Sequence, residues 1–171
     1  MLQSVDLLPG AVLPGLLRGL LLMGDRTVLF VCVQNAGRSL MAEAIFNADP
    51  PKGWTAASAG TRPAPQAGPR TGPMLREIGV PLPPHAPRLL SDDLMDRASV
   101  RVTMGCLDDA SCPARLRQLP VRDWALDDPG KLDDVGFRRV RDQIREKVRA
   151  LQDELRAQDL PATASGRPPS R

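Results

Sequence analysis

Tyrosine is absent from this 171-residue chain, and all aromatic residues together make up only 3% of it. A surface that stacks nucleobases needs rings interleaved with basic side chains, so the composition argues against a nucleic-acid partner. Cysteine is scarce too. Cys32, Cys106 and Cys112 cannot close into a disulfide framework, and with His85 as the lone histidine they lack the paired spacing of a structural zinc site. No metal is expected, and an odd set of thiols fits a reducing, cytoplasmic compartment. A long apolar run is also missing. Residues 1–24 are leucine-rich but cut by Pro9 and Pro14, carry Asp6 and Arg18, and have no basic stretch ahead of the apolar part. Neither a signal peptide nor a membrane span is expected, and the segment reads as an extension with Met23 as an alternative start. What the chain does have is 42% hydrophobic residues, enough for one sizeable core, expected over 25–157. Its net charge of +3 fits an anionic substrate. Residues 158–171, rich in Pro, Ala, Ser and Arg, are expected to be a disordered tail.

The most informative stretch starts at Val28. Val28, Leu29, Phe30 and Val31 form a short apolar run that predicts a buried strand. Val33, Gln34, Asn35, Ala36 and Gly37 follow as a loop, and Leu40, Met41, Ala42, Glu43 and Ala44 are helix formers. Strand, tight loop and helix make an anion cradle, because the loop amides converge and the helix N-terminus adds partial positive charge. Cys32 stands where the strand ends, and Arg38 where the helix begins. A thiol beside such a nest and a fixed guanidinium is set up as a thiolate nucleophile. Arg38 offers a planar fork to a tetrahedral oxyanion. An isolated cysteine ending a core strand would be inert packing; five loop residues between Cys32 and Arg38-Ser39 point to chemistry instead.

Residues 54–59 predict a second strand closed by Gly60-Thr61, and the proline- and glycine-rich residues 62–73 a loop. Met74, Leu75 and Ile78 then have helical spacing, with Gly79 as the stop. Four prolines in 81–87 predict an extended surface loop, in which His85 reads as a bystander. Ser91 is a suitable N-cap for a short helix to Arg97. Residues 100–104 predict a third strand, running through Gly105-Cys106 into an acidic loop that ends at Cys112-Pro113. Residues 121–124 suggest a fourth, followed by a turn through Asp127-Asp128-Pro129-Gly130. Phe137, Val140, Ile144, Val148, Leu151 and Leu155 share one stripe of a last helix, whose first turn suits Asp133 and Asp134. Alternating strands and helices predict a single α/β domain: a four-stranded parallel sheet with helices on both faces. Ligands of such sheets sit beyond the carboxyl ends of the strands. There the Cys32 loop, the Cys106 segment and the Asp128 turn would meet.

Val31-Cys32-x5-Arg38-Ser39-x-Met41-Ala42-Glu43, Ser58-Ala59-Gly60-Thr61, Val102-Thr103-Met104-Gly105-Cys106, Cys112-Pro113, Trp124-x3-Asp128-Pro129 and Val140-Arg141-Asp142-x-Ile144 together carry a resemblance. From Thr27 to Leu155 the chain resembles the low-molecular-weight tyrosine phosphatase superfamily, and within it the thioredoxin-coupled arsenate reductases. The resemblance implies that Cys32 attacks the oxyanion centre while Val33, Gln34, Asn35, Ala36, Gly37 and Arg38 bind its oxygens. It implies that Ser39 donates a hydrogen bond to the sulfur, that Asn35 pins the loop, and that Asp128 protonates the departing oxygen. Cys106 would attack Cys32 in the arsenic adduct, and Cys112 would then draw the disulfide into a mobile, exposed segment for thioredoxin to reduce. No tightly bound cofactor is implied; the electrons come from thioredoxin. Arsenate would be the substrate, with phosphate or sulfate competing.

Tyrosine phosphatases of this kind follow Asp-Pro with tyrosine and line the cleft with aromatics; here Gly130 and Lys131 follow Pro129, and a shallow mouth for a small inorganic anion is expected. Three features depart from the reductase pattern. Gly105 precedes Cys106, shortening the Cys106–Cys112 loop by one residue, and position 37 is glycine where many relatives carry another cysteine. Some relatives bind potassium beside the loop; Asn35, Glu43 and Ser58 match part of that site, but Arg88 falls near an expected carboxylate, and its guanidinium could substitute for the cation. The alternatives are a phosphatase for small phosphate esters, a reductase served by mycothiol or bacillithiol, and a binding module whose three thiols capture arsenite or a metal.

Overall fold

The computed structural model describes residues 26–159. The expectations for residues 1–24, and for the tail beyond Asp159, lie outside that range. The sheet is built around β1 (Arg26–Cys32), which pairs in parallel with β2 (Trp54–Gly60) on one side and β3 (Ala98–Thr103) on the other. The short β4 (Arg122–Asp123) pairs in parallel outside β3, giving the order β2-β1-β3-β4. A central strand with both faces covered must be apolar throughout, which is why Val28 to Val31 read as a run rather than an alternation. The alternation is still there. Val28, Phe30 and Cys32 belong to one core, with α1 (Arg38–Ala48), α2 (Thr71–Arg76) and α5 (Asp134–Gln158). Leu29 and Val31 belong to the other, with Met95 of α3 (Asp92–Arg97) and Leu116 of α4 (Ala114–Gln118).

The predicted α/β architecture, with helices on both faces, is the one observed. Its edges differ from the sequence reading. α2 begins at Thr71, inside the expected loop, with Pro73 in its first turn, where a missing N–H costs nothing. β3 starts at Ala98 and ends at Thr103, and the fourth strand shrinks to two exposed residues. α4 was not foreseen; Leu116 is its one buried residue, so it has no stripe to read. α5 runs through Gln158, beyond the expected start of the tail.

α1 buries every residue from Ser39 to Phe46, because the sheet lies on one side of it and α5 packs across it. α5, about 37 Å long at 1.5 Å per residue, keeps the predicted stripe and adds a polar staple. Its buried Arg141 donates to Met74 O at 3.0 Å and to Glu77 at 2.7 Å. Arg138 and Arg141 together hold the Glu77 carboxyl far down, at about 2, so this tie between α2 and α5 persists across the neutral range. Among the described residues no helix is long and apolar enough to cross a membrane.

Candidate active site

Cys32 ends β1 at the carboxyl edge of the sheet, and the chain turns back into α1 through a loop held from inside. Asn35 is its pin. It takes a left-handed backbone conformation, φ 50°, and is fully buried. Its Nδ2 donates to Ser39 Oγ and to Ser58 Oγ, both at 2.8 Å, and its Oδ1 accepts from Arg88 N at 2.9 Å. With both amide hydrogens committed, the Ser39 hydroxyl hydrogen is left for Cys32 Sγ, 3.0 Å away, and that of Ser58 for Glu43 Oε2, 2.5 Å away. The Asn35 backbone N–H also donates to Cys32 Sγ, at 3.2 Å. Two donors thus converge on the sulfur. Asn35 is not among the residues lining the cleft; its side chain is spent on the loop.

Behind this pin the Glu43 carboxylate is buried. His85 Nε2 lies 2.9 Å from Glu43 Oε1, and the Arg88 guanidinium 3.7 Å from it, while Arg88 Nε donates to Ser58 O at 2.7 Å. His85 is therefore no bystander; it closes a chain of contacts running from the surface through Glu43, Ser58, Asn35 and Ser39 to Cys32. The same geometry decides the potassium question. An arginine and an imidazole already face the carboxylate and carbonyl that a cation would need, so these residues do not fit one. Among the described residues no cluster of three or more His, Cys, Asp or Glu side chains could hold a metal.

The cleft above Cys32 has a volume of about 540 Å³, more than a lone oxyanion needs. Val33, Gln34, Ala36, Gly37 and Arg38 line it, and Asp128 stands at its wall. Arg38 Nη1 is anchored by Met104 O at 2.7 Å and Leu126 O at 2.8 Å. Asp128 Oδ1 accepts from Gly130 N at 3.0 Å, capping the 3-10 turn Pro129–Lys131. Arg62, Arg70, Thr71 and Lys131 also line the cleft, and sequence reasoning missed all four. A basic residue next to Pro or Gly was the only hint.

Gly60 sets how closely β2 backs the loop. A Cβ there would lie 2.6 Å from Val33 O and 2.9 Å from Asn35 N, both backbone atoms. The glycine cannot retreat, since its N donates to Arg88 O at 2.9 Å and its O accepts from Leu90 N at 2.8 Å. Gly60→Ala is expected to lose about 3 kcal/mol of stability, by urea unfolding, through overpacking. Because the loop must shift, it should also lose about 100-fold in activity. Wild-type kinetics in that variant would show that the loop tolerates displacement.

Cys106 and Cys112 do not line the cleft. Both are buried in the core on the opposite face of the sheet from Cys32, Cys106 with its sulfur 3.9 Å from Val31 O at the strand's end. Apolar neighbours cover Cys112 in this reduced state, in which all three cysteines are free. The intervening segment is latched. Arg62 pairs with Asp109 at 3.2 Å, Thr61 Oγ1 lies 2.7 Å from Ser111 Oγ, and Arg117 donates to Asp109 O at 3.0 Å. Gly105, the extra residue before Cys106, has φ 74°, a left-handed turn that suits glycine. Burial, and then the neighbouring Cys112, push the Cys106 thiol up to about 12. At pH 8 about one molecule in 10⁴ would carry that thiolate. Iodoacetamide at pH 8 should therefore leave Cys106 unmodified in the native protein and alkylate it once urea unfolds the chain; peptide mapping reads this directly.

Residues 27–160 match the family of the low molecular weight phosphotyrosine protein phosphatase. A crystal structure of arsenate reductase from Archaeoglobus fulgidus is 34% identical, with 74% of this chain and 98% of that one aligned at a TM-score of 0.62. The thioredoxin-dependent arsenate reductase of Corynebacterium glutamicum is 29% identical over 83% of this chain and 67% of its own, with a TM-score of 0.66. Arsenate reductase 1 of Staphylococcus epidermidis is 29% identical over 126 residues, 74% of this chain and 95% of its own. With a family match that covers both cores and the whole cleft, the chain belongs to the low molecular weight phosphotyrosine protein phosphatase family, in the branch that holds the arsenate reductases.

Proposed function

We propose that this protein reduces arsenate to arsenite with electrons drawn from thioredoxin. The observation that carries the reading is the pairing of an oxyanion cradle on Cys32 with two further thiols, Cys106 and Cys112, packed at the same edge of the sheet. A phosphatase needs the cradle alone. The arsenate reductases among its relatives support the choice of substrate, and the thioredoxin-dependent one supports the choice of reductant.

In this mechanism the Arg38 guanidinium and the backbone amides of Val33, Gln34, Ala36, Gly37 and Arg38 hold the arsenate oxygens, and Cys32 attacks arsenic. An oxygen leaves as water, with Asp128 supplying a proton. Cys106, once deprotonated, attacks Cys32 Sγ. The sulfur–arsenic bond breaks with its electron pair left on arsenic, which departs as arsenite, and a Cys32–Cys106 disulfide remains. Cys112 then attacks Cys106, freeing Cys32 and forming Cys106–Cys112, which the thioredoxin dithiol reduces. Two electrons enter and two are used. Phosphate has nearly the same shape and charge as arsenate, so weak hydrolysis of small phosphate esters should accompany the reduction, and it should survive Cys106→Ser because hydrolysis uses no sulfur beyond Cys32.

The test is NADPH consumption with arsenate, thioredoxin and thioredoxin reductase, with arsenite measured alongside. One NADPH per arsenite over many turnovers is expected. No consumption, with turnover instead on mycothiol or bacillithiol, would overturn the thioredoxin coupling.

A further inference from the structure

Nucleophile and acid come from opposite ends of the domain: Cys32 from the first strand, Asp128 from the turn before the last helix. Arg38 reaches the chain leading to that turn at Leu126 O, but the turn itself is gripped from elsewhere. Residues 68–71 touch both sides. Gly68 N and Thr71 Oγ1 each donate to Ala36 O at 2.8 Å, seating the segment on the Cys32 loop. The approach is close: a Cβ at Gly68 would lie 3.2 Å from Ala36 O and 3.1 Å from Thr71 Oγ1, tight enough that either neighbour would have to give a few tenths of an ångström.

From between those two contacts Arg70 reaches the other way. Its Nη1 donates to Leu132 O at 2.9 Å and Asp134 Oδ1 at 3.1 Å, and its Nη2 to Pro129 O at 3.2 Å and Gly130 O at 3.3 Å. The guanidinium also lies 5.0 Å from the centroid of the Phe137 ring. Four acceptors and a ring face use the plane and the fork that arginine has and lysine lacks. The Gly130 residue is thus held at both ends, its N–H by Asp128 Oδ1 and its carbonyl by Arg70.

We propose that Arg70 is a positioning residue: through residues 68–71 it fixes the Asp128 carboxyl at the distance from Cys32 that proton delivery to the departing oxygen requires. Although Arg70 lines the cleft, both its terminal nitrogens are committed to the acid turn, so it acts through Asp128 rather than on the oxyanion. The inference rests on the proposed role of Asp128 as the acid.

The experiment compares wild type, Arg70→Met, Arg70→Lys, Asp128→Asn and the Arg70→Met/Asp128→Asn double variant for arsenate reduction under saturating reductant, with KM and kcat separated. Arg70→Met is expected to lower kcat about 10- to 30-fold while KM stays within about twofold, the pattern of a lost orientation rather than lost binding. The double variant should be no slower than Asp128→Asn alone. If Arg70→Met fails to fold, Arg70→Lys, which keeps the charge and loses the fork, carries the same comparison. A raised KM at intact kcat would make Arg70 a direct anion ligand, and multiplied losses in the double variant would make it independent of Asp128; either overturns the proposal. Asp128→Asn at the wild-type rate removes the acid itself, whereas an impaired Asp128→Asn beside a full-rate Arg70→Met removes only the clamp.

Discussion

Cys32→Ser is expected to abolish arsenate reduction, a loss of about 10⁵-fold or more, because a serine hydroxyl cannot replace the thiolate as nucleophile or form the disulfide. The architecture around it should stay. Ser39 Oγ and Asn35 N, now 3.0 and 3.2 Å from the sulfur, can donate to an oxygen in the same place. The pins on Ser58, Glu43 and Arg88 do not involve Cys32 at all. Inorganic phosphate should therefore still raise the melting temperature of the variant, since the cradle that binds it is intact. Arg38→Ala should show the opposite pattern, with that stabilisation lost and the anchors to Met104 O and Leu126 O gone. Arsenate turnover by Cys32→Ser above about 1% of wild type would place the nucleophile elsewhere.

The sequence carried the parts of this protein whose cause is local or periodic. β1 was legible because a strand covered on both faces must be apolar, and α5 because its stripe repeats with the helix period. Cys32, Arg38 and Ser39 were legible because cradle, nucleophile and fork fall within eight consecutive residues. The contacts that organise the cleft are of another kind. Arg70 meets its acceptors 59 to 64 positions away, mostly at backbone carbonyls, which carry no residue identity to read. His85 finds Glu43 42 positions back, out of a proline-rich loop that looked like surface. The acidic run from Cys106 to Cys112 carries no sign of its own latch either: Asp109 turns to Arg62 and to Ser111 while the Cys112 sulfur packs inward.

Cys112→Ser is expected to stop the enzyme after a single arsenite per chain in the thioredoxin-coupled assay, with a burst of one equivalent and no steady rate. In the proposed relay Cys32 and Cys106 suffice for one reduction, and thioredoxin would then meet a disulfide between two sulfurs that are both buried in the resting structure. The resting geometry gives the third thiol of the proposed relay a reason. Cys106 is wholly buried and Cys112 nearly so, and the segment between them is held by Arg62 to Asp109 and by Thr61 to Ser111. With Cys106 pushed up to about 12, the thiol is protonated at neutral pH and cannot attack until the segment moves and the burial is relieved. On the proposed relay, the latch and the thiol's protonation would keep Cys106 from acting before an adduct exists on Cys32, and Cys112 would carry the oxidised bond outward as the latch opens. Non-reducing peptide maps check the order: Cys32–Cys106 should accumulate in Cys112→Ser, and Cys106–Cys112 in wild type given arsenate without thioredoxin. Sustained turnover by Cys112→Ser would mean that thioredoxin reaches the first disulfide directly, and that the third cysteine is packing.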